Sequence, residues 1–161
     1  MATATKIPLA SITLSSATDN ITISGIPQTY TDLRVVVHNN VPSNGGYGFV
    51  YFNNTDSNCS DTWLYVNAST TAVSARRSNA SYIWATDTSI NQTAFSTWDI
   101  MSYSNTTTYK TMLMRNTNGY VNKAGAGVGM WRSTAAITSF TLYGVGMQWG
   151  SGTKIDVYGI L

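Results

Sequence analysis

The sequence predicts an all-β protein, an antiparallel two-sheet sandwich of jelly-roll type that takes in residues 1–161 as a single domain. Three observations carry that expectation. Charged residues make up only 10% of the chain, against about 25% in an average soluble protein, and all 7 acids are aspartate. Thr, Ser and Asn do the solvating instead, and these residues favour strands, turns and caps over helix interiors. Apolar side chains recur with period two, whereas the three-and-four spacing of an amphipathic helix never persists for the roughly 11 residues such a helix needs.

The strands follow in order, each bounded by Gly, Asn, Asp or Ser. The first covers 7–14, and the second 20–24, where Ile21 and Ile23 share a face. In 33–38, Leu33, Val35 and Val37 alternate with Arg34, Val36 and His38. Segments 48–52, 63–67 and 81–85 come next. A long strand over 94–103 puts Phe95, Thr97, Asp99 and Met101 on one side, with Trp98 and Ile100 on the other. Segments 109–115, 121–131, 137–143 and 154–160 complete the set. About ten short strands favour a jelly roll over an immunoglobulin-like sandwich, which uses fewer strands in fewer residues. The connections at 39–46 and 53–61, rich in Gly, Asn and Ser, are expected to be the most mobile.

Catalytic resources are sparse. His38 is the only histidine, so any histidine-based triad or multi-histidine metal site would have to pass through it, and it alternates out of the apolar face. Cys59 is the only cysteine, which rules out a disulfide within the chain, and its neighbours Asn58, Ser60 and Asp61 offer nothing to lower its pKa. Paired carboxylates such as Asp56 and Asp61 fall in a predicted loop, and the oxygen-rich stretch around them lacks the glycine and terminal glutamate of an EF-hand loop. The glycine run Gly125, Gly127 and Gly129 lacks the spacing of a dinucleotide or Walker loop. It is read as a strand thinned on one face so that a bulky neighbour can pack close. No catalytic residue, metal site or cofactor is therefore expected, and the chain is read as a non-enzyme.

Partners are bounded in the same way. Arg76 and Arg77 form the only adjacent basic pair and are read as a solvated loop tip, so no nucleic-acid footprint is expected. No segment approaches the roughly 20 apolar residues of a membrane helix, and residues 2–16 do not resemble a secretory signal. The Asn-x-Ser/Thr triplets at Asn20, Asn53, Asn58, Asn67, Asn79, Asn91 and Asn105 are accordingly read as products of composition rather than glycan sites. Trp63, Trp84, Trp98, Trp131 and Trp149 are read first as core or subunit interface, and second as stacking platforms for sugars. Free monomers guard their sheet edges with Lys, Pro or inward charges, and only four lysines and 3 prolines are present. Edges or flanks covered by copies of the chain, or by a larger assembly, are the expectation.

Two stretches carry a resemblance. One runs Ser24, Gly25, Ile26, Pro27, Gln28, Thr29, Tyr30, Thr31, Asp32 and Leu33. The other runs from Gly129, Met130, Trp131 and Arg132 through Ile137 to Leu142, followed by Gly150, Ser151, Gly152 and Thr153 and the terminal Val157, Tyr158, Gly159 and Ile160. Here the chain resembles small β-sandwich virion proteins of tailed bacteriophages, over about a third of its length; residues 39–108 match no known pattern. Physically, Pro27 presets a turn, Tyr30 is placed to cap the end of the sandwich with its hydroxyl, and 131–142 reads as strand, turn, strand.

The resemblance implies a virion structural protein, made in the host cytoplasm, with no active-site residues. The first expectation is a capsid decoration (cement) protein, trimeric, that binds the major capsid protein or other virion proteins without covalent or metal chemistry. The alternative is a tail-fibre or receptor-binding module that recognises host surface glycan.

Overall fold

The computed structural model describes residues 5–40, 45–66, 71–88, 93–118 and 123–161. Its strands are β1 (Lys6–Thr13), β2 (Asn20–Ser24), β3 (Asp32–Asn40), β4 (Gly46–Phe52), β5 (Cys59–Val66), β6 (Ala72–Ala80), β7 (Ile83–Thr88), β8 (Thr93–Met101), β9 (Lys110–Asn118), β10 (Lys123–Trp131), β11 (Ser139–Val145) and β12 (Lys154–Ile160). They form an 8-stranded sheet, β1-β12-β3-β8-β9-β10-β5-β6, packed on a 4-stranded sheet, β2-β11-β4-β7. Every pairing is antiparallel.

The pairs β1·β12, β2·β11, β3·β8 and β4·β7 are rungs of one long antiparallel ribbon. Rolled on itself, the ribbon sends alternate rungs to opposite sheets, and this is the jelly-roll topology. Two hairpins lie outside it. β9–β10 and β5–β6 add four strands beyond β8, all on the same sheet.

Alternation explains which faces meet. In β3, Leu33, Val35 and Val37 are fully buried, and in β8 so are Trp98 and Ile100, against Phe140 and Leu142 of β11. Trp63, Trp131 and Trp149 join this core, while Trp84 is half-buried. The glycines of β10 do what the sequence implies. A Cβ on Gly127 would lie 2.6 Å from the Trp63 ring, and one on Gly129 would lie 2.5 Å from Ile83, so only hydrogen at these positions lets the cover approach.

The two stretches that carry the resemblance meet at one corner. The Ile26 amide donates to the Thr138 carbonyl, and Gln28 Nε2 donates to the carbonyls of Ile26 and Ile137. The hydroxyl that ties this end together belongs to Tyr103, which donates to the Pro27 carbonyl; the Tyr30 ring instead lies under Gly159. Asn53, at φ 51°, clamps the corner by accepting from the Thr138 amide at 2.8 Å and donating to the Ala136 carbonyl at 2.7 Å.

Three expectations need correction. Residues 72–80 form β6, although Ala72-Val73-Ser74-Ala75 shows little alternation, because β5 supplies the pairing that the segment's own pattern does not announce. Arg76 and Arg77 therefore lie on a strand and not at a loop tip. Asp61 likewise belongs to β5 and is buried, because its carboxylate turns inward to Arg77 and to the Trp84 amide. Of the connection predicted at 39–46, Asn39 and Asn40 extend β3 and Gly46 opens β4, while 41–44 lie outside the described residues. The predicted strand positions 67 and 121–122, and the triplets at Asn67 and Asn91, also lie outside them.

The sheet rims are better guarded than the lysine and proline counts imply. Both Lys6 and Pro8 fall on the edge strand β1, whose register shifts between Pro8 and Ala10. The far edge, β6, presents Arg76 and is also shifted against β5. On the smaller sheet, the edge strand β2 has only 5 residues. Among the described residues, the fold also leaves open a face.

Candidate docking faces

No element among the described residues covers the outer face of the larger sheet. Register sets its side chains in rows across six strands. One row reads Thr62, Val128, Leu113, Asp99, Arg34 and Tyr158, and the next reads Leu64, Ala126, Arg115, Thr97, Val36 and Asp156. A third runs Val66, Ala124, Thr117, Phe95, His38 and Lys154. The hairpin strands β9, β10 and β5 thus contribute an aliphatic belt. Leu64 is 60% exposed, Val128 46% and Leu113 44%, which are high values for neighbouring aliphatic side chains.

Beside the belt stands a charged triad. Arg34 donates to Asp99 through Nε at 2.6 Å and Nη2 at 3.0 Å, a bidentate pair that holds the guanidinium pKa above its ordinary value. Arg115 reaches the same carboxylate with Nη2 at 3.3 Å, and among the described residues that is its only polar contact. Most of its five donors therefore face solvent. A shallow hollow of about 630 Å³ opens between Arg115 and the belt, lined by Thr62, Leu64, Leu113, Ala126 and Val128. A smaller one of about 280 Å³, beside Phe95, Thr97 and Thr117, lies on the other side of Arg115.

The outer face of the smaller sheet has a different chemistry. Tyr47, Phe49 and Tyr51 of β4 project on one side, and Phe49 pairs across to Tyr143 and Trp84. Ring centroids of Tyr82 lie 5.1 Å from Tyr143, 5.5 Å from Tyr51 and 5.9 Å from Phe49. Arg77 stacks on Phe49 at 4.9 Å. Burial, reinforced by Tyr143, Asp56 and Tyr51, raises the Tyr82 pKa. The hydroxyls of Tyr51, Tyr82 and Tyr143 make no hydrogen bond to the described residues.

The residues weighed from the sequence do not come together as a reaction centre. His38 packs edge-on against Phe95, with ring centroids 4.8 Å apart, on the exposed end of β3. Asp56 sits in an exposed turn while Asp61 is engaged in the interior. Cys59 is fully buried, and desolvation, with Asp61 nearby, pushes its thiol up to about 11. Among the described residues, no three His, Cys, Asp or Glu side chains cluster as metal ligands would, and no helix is long and apolar enough to cross a membrane.

Sequence reasoning missed Arg115, Leu64, Leu113 and Val128. A signal did exist, since 94–103 and 109–115 carry large apolar residues on both faces, with Phe95 and Met101 opposite Trp98 and Ile100. Compared with protein-family models and with curated proteins, the chain matches none of either.

Proposed function

We propose that the chain is a non-catalytic structural protein of a tailed-bacteriophage virion, a capsid decoration (cement) protein that docks through the outer face of its larger sheet. The observation that carries this reading is the open aliphatic belt of Leu64, Val128 and Leu113 on a regular sheet face that no described element covers. Eight strands spaced about 4.8 Å apart and up to nine residues long make a face of roughly 35 by 30 Å. That exceeds the roughly 800 Å² per partner of a standard interface. Burying what remains exposed of each belt side chain contributes on the order of 1 kcal/mol, so the belt supplies an apolar centre with polar rows around it. A trimer of the chain would offer three such faces to the major capsid protein. The resemblance at residues 24–33 and 129–142 supports the choice of a virion. Mass spectrometry of intact capsids and of detached tails tests it: the chain is expected with the capsids, and its absence from them overturns the reading.

A second reading, a tail-fibre or receptor-binding module for host glycan, draws on the smaller sheet. Tyr51, Tyr82 and Tyr143 present ring surface together with hydroxyls that make no hydrogen bond to the described residues, the combination that stacks on and hydrogen-bonds a sugar. Binding on a glycan array that Tyr82→Ala abolishes, with the chain recovered in the tail fraction, would favour it over the first.

A further inference from the structure

We infer that the partner of the larger sheet's outer face is a protein surface carrying a carboxylate, which seats on Arg115 beside the aliphatic belt. The inference rests on the virion reading and adds the chemistry of the partner. Among the described side chains, this face carries Lys6, Arg34, Arg76, Arg115 and Lys154 as cations. Its acids are Asp32, Asp99 and Asp156. The difference is +2, equal to the formal net charge of the whole chain. Among the described side chains, this face is therefore a basic one.

Half of that difference lies in the triad, beside the belt. Lys154 meets Asp156 at 3.0 Å, and Asp32 accepts the Ser102 amide, so these groups are engaged locally. Asp99, by contrast, serves two arginines. Arg34 takes both of its oxygens, leaving Arg115 tethered by one long contact and 65% exposed. A face that docks loses water, and a guanidinium without a full counter-charge is then costly unless the incoming surface supplies one.

A second copy of the same face would bring +2 against +2, so self-pairing is the worse match. A nucleic acid is also a poor fit. The cations are interrupted by Leu64, Leu113 and Val128 rather than strung along a track. An acidic side chain set among apolar ones satisfies both halves of the site.

The test uses particles assembled by a virus deleted for the chain's gene, to which purified protein is added back, with bound copies measured after sedimentation at low and high salt. Wild type and the control Asp56→Asn, in the exposed turn near Tyr82 of the smaller sheet, are expected to bind alike. Arg115→Glu is expected to weaken binding at least about tenfold, as like charges meet, and Leu113→Asp to do the same. Arg115→Lys should retain part of the binding and its salt dependence. Unchanged circular dichroism spectra and melting would show that the variants fold. Passage of a virus carrying Arg115→Glu is expected to select revertants that replace an Asp or Glu of one virion protein with a neutral or basic residue. If Arg115→Glu binds like wild type while Leu113→Asp does not, the inference falls and docking through this face stands; if Leu113→Asp also binds like wild type, docking through this face falls with the inference, and only the capsid assignment stands. If wild type itself fails to bind particles, the virion reading falls and the inference with it. Equally tight, equally salt-sensitive retention of wild type on duplex DNA would overturn it in favour of a nucleic-acid surface.

Discussion

Arg77 of β6 closes on the carboxylate of Asp61 in the neighbouring strand, and the two are joined through both guanidinium Nε and Nη2. Asp61 also accepts the Trp84 amide at 2.8 Å, and Arg77 donates to the Tyr82 carbonyl at 3.1 Å. One ion pair thereby fastens the β5–β6 hairpin to β7, the edge of the opposite sheet. The aliphatic belt begins on that hairpin, so the pair holds in place the surface proposed to dock.

Removing Arg77 leaves a buried carboxylate without its counter-charge. Arg77→Ala is expected to destabilise the fold by about 3 kcal/mol, read as a lower urea midpoint. Asp61→Asn in the same background should recover part of the loss. Arg76→Ala, one residue away on the solvent face, should change stability by less than about 0.5 kcal/mol. Equal effects from Arg76 and Arg77 would contradict this account.

Gly127 makes a steric prediction. An alanine Cβ there would meet three Trp63 ring atoms at 2.6 to 2.9 Å. Gly127→Ala is expected to cost about 1–3 kcal/mol through overpacking, and to alter the near-ultraviolet circular dichroism of the tryptophans. Ala126→Ser, on the opposite face, should do neither. An unperturbed melting temperature in Gly127→Ala would mean that Trp63 is free to move.

Cys59 makes a prediction about pH. Its folded-state pKa is raised from 9.0 to about 11, chiefly by burial. The unfolded chain therefore gives up this proton first as pH rises. Stability from the group is complete below about pH 9 and is lost as pH climbs towards about 11, a decline on the order of 2 kcal/mol. Burial raises the pKa of Tyr103 in the same direction, so some alkaline loss should persist without the thiol. Urea midpoints across this range should fall for wild type and fall less steeply for Cys59→Ala. The thiol should react with a disulfide reagent only as fast as the protein opens; immediate reaction in the native state would refute its burial.

The amino-acid sequence by itself determined the fold class. Period-two alternation in 33–38 and 94–103 sorts Val35, Val37, Trp98 and Ile100 inward, and the spacing of Gly125, Gly127 and Gly129 announces a close-packed strand. These are local patterns, because a pleated strand exposes successive side chains on opposite faces whatever its neighbours are. Strand β6 was illegible for the same reason, since small and polar residues alternate without contrast and only pairing with β5 makes them a strand. The proposed docking face needed the tertiary structure. Arg34, Asp99 and Arg115 are separated by 65 and 16 residues along the chain. Leu64, Leu113 and Val128 come from three strands whose order, β5-β10-β9, is not their order in sequence. Register and strand order are set by closing the ribbon over a shared core, a global minimum that no local window contains, and they alone decide which outward side chains become neighbours.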